Sequence, residues 1–142
     1  MIYAAIYVSR ATCALTEGDL ADILFAARRN NAERGITGRL VYAARDGERG
    51  TFAQWIEGDD WRVRELLYGS ILRDGRHALV GLPFEGPIGQ RTFPSWTMEY
   101  ERLEAKESIS TEIERLIELA HQIRPVRTSA RSVNARPIVL NG

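Results

Sequence analysis

The stretch Phe52-Ala53-Gln54-Trp55-Ile56-Glu57-Gly58 constrains this chain more than any other. It reads as a short strand that breaks at Gly58 and hands over to a helix near Asp59. Strand side chains alternate between faces. Phe52, Gln54 and Ile56 therefore share one face, and Ala53, Trp55 and Glu57 share the other. Gln54 lies between two apolar neighbours on the predicted inner face. A buried primary amide has two donors and two acceptor lone pairs, most of which need partners. Backbone groups or a buried water would satisfy it, so the strand alone does not assign Gln54 a function.

The rest of the chain sets bounds. Its 142 residues suit one ordinary domain with a tail. Nineteen basic and nineteen acidic side chains cancel, so no strong field recruits nucleic acid or an anionic membrane. The apolar N-terminus Met1–Val8 has no basic leader and no cleavage site, and reads as a first strand. No stretch approaches the ~20 apolar residues of a membrane helix. Cys13 is the single cysteine, which excludes an internal disulfide and fits a cytoplasmic location. His77 and His121 lie far apart without a Cys/His cluster, so no transition-metal site is expected.

Hydrophobic periodicity orders the elements. Ile2–Ser9 alternates as a strand, with Tyr3, Ala5, Tyr7 and Ser9 on one face. Thr16 with Asp19 marks a helix start. Leu20, Ile23, Leu24 and Ala27 form its stripe, which continues into Asn30 and Asn31 before Gly35 ends it. Ile36–Ala43 and Thr51–Glu57 are strands joined by the polar connection Arg45–Gly50. A second helix spans about Asp59–Arg73, and its stripe of Val63, Leu66, Leu67 and Ile71 passes through Ser70 to Asp74. Ala78–Leu82 reads as a strand, Phe84–Gln90 as a loop, and Phe93–Tyr100 as a last strand with Trp96, Met98 and Tyr100 on one face. The order β-α-β-β-α-β-β predicts an α+β, ferredoxin-like sheet with two helices on one face.

The character changes after Leu103, which divides the chain into residues 1–103 and an extension, 104–142. Thr111 and Glu114 suggest a capping box, followed by the stripe Ile113, Leu116, Ile117, Ala120 and Ile123. That stripe must be buried on this domain or on a partner. Pro125 ends the helix, and the tail's Arg127, Arg131 and Arg136 are too sparse for a nucleic-acid site.

Both inner helix stripes thus end in polar residues. Asn30 and Asn31 close one, Ser70 and Asp74 the other, with Arg76 and His77 just beyond. The sheet adds Tyr7 and Gln54 from strands that neighbour each other in a ferredoxin-like order. Singly, each has a structural explanation: helix-end asparagines, a surface Asp74–Arg76 pair, a core tyrosine. Together they outline an apolar slot with a polar rim, suited to a flat heteroaromatic with a donor/acceptor edge.

At this point the sequence resembles the BLUF domains, blue-light sensors that use a flavin, over roughly residues 2–100. The resemblance rests on six segments in order: Tyr7-Val8-Ser9; Ala27-Arg28-Arg29-Asn30-Asn31; Gly35-Ile36-Thr37-Gly38; Phe52–Gly58; Asp74-Gly75-Arg76-His77; and Arg91–Met98. It implies FAD held non-covalently between the two helices, with Tyr7 and Gln54 as the photoactive pair. Asn31, Arg76 and His77 would meet the pyrimidine edge, Asn30 and Asp74 would support it, and Ile23 and Leu24 would wall the ring. Trp96 and Met98 match last-strand positions that relay the signal. Arg28, Arg29 and Arg34 are candidates for the phosphates. The match departs from the family pattern in a longer Arg45–Gly50 connection and in Gly75, where bulkier residues are usual. The implied protein is a photoreceptor and not an enzyme, acting through its C-terminal helix on a homo-oligomer or a downstream protein partner. Two other readings stand beside it. One is a small acylphosphatase-type hydrolase using Arg76 and Asn31, though no Gly-rich phosphate loop follows the first strand. The other is an interaction module that keeps the fold without flavin.

Overall fold

The computed structural model describes residues 1–45, 47–95, 97–103 and 106–123. Trp96, Pro125 and the three tail arginines lie outside the described residues. The elements are β1 (Ile2–Ala11), α1 (Glu17–Arg34), β2 (Thr37–Ala43), β3 (Thr51–Asp59), α2 (Asp60–Gly69), β4 (His77–Ile88), β5 (Glu99–Leu103) and α3 (Lys106–Gln122). A 3-10 turn, Ile71–Arg73, extends α2. The sheet order is β4-β1-β3-β2-β5, with β2 and β5 parallel and the other pairs antiparallel. This is the expected α+β, ferredoxin-like arrangement with β1 and β3 adjacent inside the sheet.

The strands are apolar on both faces, so each face needs a cover. Tyr3, Ala5, Tyr7, Phe52 and Ile56 pack with Leu20 of α1 and with Val63 and Leu67 of α2. On the reverse face, Ala4, Ile6, Trp55, Phe84 and Ile88 pack with Leu116 and Ala120 of α3. Val41, Ala43 and Ala53 pack there with Ile109 and Ile113. The stripe of the C-terminal helix is therefore buried on its own domain.

Local chemistry sets the limits of α1. Thr16 Oγ1 accepts from the Asp19 backbone N–H at 3.0 Å, and Asp19 Oδ2 accepts from the Thr16 N–H at 2.9 Å, a reciprocal cap. Gly35 ends the helix at φ 66°, in the left-handed region where a side chain is costly.

Several boundaries differ from expectation, and β1 runs two residues further, to Ala11. β3 runs on through Gly58 to Asp59, because β1 continues to pair with it there, Tyr3↔Gly58 and Ile2↔Asp59. α2 stops at Gly69 and the chain tightens into the 3-10 turn. β4 continues through Phe84-Glu85-Gly86-Pro87-Ile88, where a loop was predicted, because β1 offers a partner along its whole length from Ile2↔Ile88 to Ala11↔His77. Pro87 is tolerated because β4 is an edge strand. β5 begins at Glu99 and not at Phe93, since the chain must first cross from one sheet edge to the other, about 19 Å. α3 starts at Lys106, so Thr111 and Glu114 lie inside it and cap nothing.

Candidate functional site

The last turn of α1, the 3-10 turn after α2, and the middle of β1 and β3 enclose one cleft. Ile23, Ala26 and Ala27 of α1 form one wall, and Leu66 and Ile71 the other. Tyr7, Leu40, Phe52 and Gln54 form the floor. Asn30, Asn31, Ser70, Asp74, Arg76 and His77 supply the polar groups. Leu24 packs on the core beside the cleft and is not among the lining residues.

Antiparallel pairing sets Tyr7 opposite Gln54. Tyr7 Oη donates to Gln54 Oε1 at 2.5 Å, and both side chains are buried. A phenol donor fixes the amide orientation, because only the oxygen can accept. Gln54 Nε2 then faces Met98 Sδ at 3.2 Å. Burial pushes the Tyr7 phenol pKa up, and the negative charge of Asp74 adds to the rise. Tyr7 therefore stays protonated, and a donor, at physiological pH.

The rim is tightly bonded. Asn31 is buried and its Nδ2 donates to the Thr97 carbonyl at 3.0 Å. His77 Nε2 lies 2.8 Å from the Ile71 carbonyl, which can only accept, so Nε2 carries the proton. His77 Nδ1 meets Ser9 Oγ at 2.5 Å. The imidazole stands edge-on to Tyr7, with ring centroids 5.8 Å apart. Asp74 accepts from Arg76 Nε at 2.9 Å and from the Arg76 backbone N–H at 2.9 Å. The Arg76 hydrogen bond, working against burial, holds the Asp74 carboxyl below its ordinary range. This pair is thus a local ion pair set at the cleft mouth. Gly75 between them has open space where a Cβ would stand, with nothing within 4 Å of it. Of the phosphate candidates, Arg28 Nε donates to the Met98 carbonyl at 3.0 Å, and Arg29 lies over the Phe25 ring.

Two polar residues that brace the site's surroundings escaped the sequence reading. Ser9 holds His77, and its position two residues beyond Tyr7 on the same strand face was the available signal. Glu57 is fully buried on the opposite face. Its Oε1 accepts from Trp55 Nε1 at 2.9 Å and from the Thr92 N–H at 2.8 Å. Its Oε2 accepts from Thr37 Oγ1 at 2.9 Å and from the Phe93 N–H at 2.7 Å. Arg91 adds a bond to the Gly35 carbonyl at 2.7 Å. This clamp fastens the crossover just ahead of the segment that delivers Met98 to Gln54.

The donor set suits a flavin ring. Alanines at positions 26 and 27 let a flat ring approach α1, the asparagines and Arg76 offer donors to ring carbonyls, and the Tyr7–Gln54 pair lies on the floor. Among the described residues, no group of His, Cys, Asp and Glu could hold a metal ion, and no helix is long and apolar enough to cross a membrane.

Comparison with known proteins places the chain in a family. Residues 2–99 match the family model BLUF, sensors of blue-light using FAD. The photoactivated adenylate cyclase subunit beta of Euglena gracilis is 37% identical over 93 residues, 65% of this chain and 10% of the cyclase subunit. The chain thus spans about a tenth of the length of that curated relative. Among solved structures, the dark state of BlrB, a BLUF protein, superimposes with a TM-score of 0.65 at 30% identity, covering 81% of this chain and 83% of BlrB. A bacterial light-regulated adenylyl cyclase gives a TM-score of 0.67 at 26% identity, covering 88% of this chain and 41% of the cyclase. The cleft and these matches lead to one conclusion: the chain belongs to the BLUF family of flavin-binding blue-light sensors.

Proposed function

We propose that the flavin is FAD, held non-covalently in the α1–α2 cleft, and that Tyr7 and Gln54 form the photoactive pair. The buried chain of contacts from Tyr7 Oη through the Gln54 amide to Met98 Sδ carries this reading. Asn31, Arg76 and His77 meet the pyrimidine edge, Asn30 and Asp74 support it, and Ile23 and Leu24 pack beside the ring. When bound, the flavin supplies blue-light absorption and an excited state that accepts an electron.

Tyr7 would supply an electron to the excited flavin and pass its Oη proton to Gln54 Oε1 as Gln54 Nε2 gives up one of its own; return of the electron and a proton to Tyr7 would then leave Gln54 turned or as the other tautomer. Gln54 both accepts and donates, so a turn of its amide or a change of tautomer re-aims its hydrogen bonds. Either change alters the bond from Nε2 to Met98 Sδ. Thioether sulfur is a weak acceptor, so that bond opposes the change little. Met98 immediately precedes β5, and movement there reaches α3; Trp96 belongs to the same relay. Residues 1–103 form the sensor, and residues 104–142 carry its output to a second copy of the chain or to another protein in the cytoplasm. The chemistry is sensing and not turnover.

The test is the visible absorption spectrum in the dark and immediately after blue light. A flavin spectrum that shifts to longer wavelength and recovers in the dark is expected, with the shift lost in Tyr7→Phe and Gln54→Leu. Chromatography of the released chromophore separates FAD from FMN. A bound flavin without a shift overturns the Tyr7–Gln54 assignment, and failure to bind flavin overturns the cofactor assignment.

A further inference from the structure

The face of β2 turned away from the cleft holds a cation with no part in flavin binding. The Arg39 side chain is 9% exposed. A buried guanidinium is costly unless its donors are paired. Each of its three nitrogens meets a different carboxylate. Nη1 lies 3.2 Å from Glu99, Nη2 pairs with Glu101, and Nε donates to Glu112 at 2.8 Å. Glu99 and Glu101 alternate along β5, so they share a face, and Arg39 pairs with Glu99 in the parallel register. Glu112 belongs to α3 and also binds Arg115 at 2.7 Å. Against their burial, Arg39 is held in its charged form by these carboxylates, and Glu112 is held ionised by Arg39 and Arg115.

Glu99 directly follows Met98, whose sulfur meets Gln54 and whose carbonyl accepts from Arg28. A displacement of Met98 therefore moves the first of the two β5 carboxylates on Arg39. A guanidinium is a rigid planar fork, so shifting two of its three partners turns the plane away from the third. We propose that Arg39 is the positioning residue that couples the Gln54–Met98 contact to α3, holding β5 through Glu99 and Glu101 and the helix through Glu112 on one guanidinium. This rests on the photochemical reading above.

The test uses the full flavin-loaded chain. Absorption and amide hydrogen exchange are recorded on the same samples, in the dark and under continuous blue light. The unsubstituted protein is expected to show the spectral shift together with light-minus-dark exchange differences in both β5 and α3. Arg39→Lys keeps the charge but loses the fork. Glu112→Gln leaves Arg39 with its two β5 partners. Both variants are expected to keep the spectral shift, the β5 difference and the dark protection of α3, and to lose the α3 difference. An undiminished α3 difference in both variants overturns the coupling. So does an α3 already unprotected in the dark, which would make Arg39 a simple fastener. So does an unsubstituted protein that shifts without any change in α3. Absence of the spectral shift in the unsubstituted protein overturns the photochemical reading, and the coupling with it.

Discussion

The two faces of the sheet are built on different polar chemistry. On the cleft face the central contacts are neutral: a phenol, a carboxamide and a thioether in series. On the α3 face they are ionic and saturated. The Glu57 carboxylate accepts four hydrogen bonds, and the Arg39 guanidinium engages three carboxylates. Charge-assisted hydrogen bonds are about twice as strong as neutral ones. An amide, by contrast, can exchange its donor and acceptor ends without leaving its place. One face is therefore suited to rearrange in place and the other to pass a displacement on through strongly held contacts, and they share the strands β1, β2 and β3.

Substitutions should separate the faces. Glu57→Ala strips partners from Trp55 Nε1 and from the Thr92 and Phe93 amides, and is expected to cost about 3–5 kcal/mol of stability, measured by urea unfolding. Met98→Leu removes the sulfur acceptor but conserves volume, and should cost less than about 1.5 kcal/mol in the same assay. A Met98→Leu variant as unstable as Glu57→Ala would erase the distinction. Acid sharpens it further. Glu112 has a folded pKa below its ordinary value of 4.5. Its contribution is thus fully present above about pH 4.5 and lost as pH falls through the depressed value. Stability to urea should therefore fall below pH 4.5, and Glu112→Gln should reduce that dependence. The smallest effect belongs to the Arg102–Glu17 pair, where the Glu17 side chain is 78% exposed. Glu17→Ala should change stability by no more than about 1 kcal/mol.

What the sequence disclosed follows the same division. The Thr16–Asp19 cap and the Gly35 stop are local and were legible. So was the shared face of Phe52, Gln54 and Ile56, because strand alternation needs no tertiary information. Pairing Tyr7 with Gln54 required only the neighbouring of β1 and β3. The start of β5 was not legible. Phe93 looks like a strand residue, but it lies in the crossover and packs on Trp55 with ring centroids 5.7 Å apart. Gly86 and Pro87 resemble a loop, yet a long β1 partner draws them into an edge strand. Thr111 and Glu114 have cap spacing, but α3 begins before them. Glu57 and Arg39 were readable only as charges on alternating strands. Their partners come from a crossover and a helix that the local sequence does not place.

The parallel pairing of β2 with β5 also bears on the order of assembly. Arg39 and Glu99 are partners separated by 60 residues of chain (39 to 99), whereas β2 and β3 meet through a short connection. Contacts between distant parts of a chain carry the larger closure entropy and tend to form late. Substitutions in β5 should then speed unfolding while leaving the folding rate nearly unchanged, as expected of a segment absent from the transition state. The strand that joins the light-sensitive contact to α3 is in this sense a late addition at the sheet's edge, paired with β2 alone, and can shift without undoing the strands beneath it.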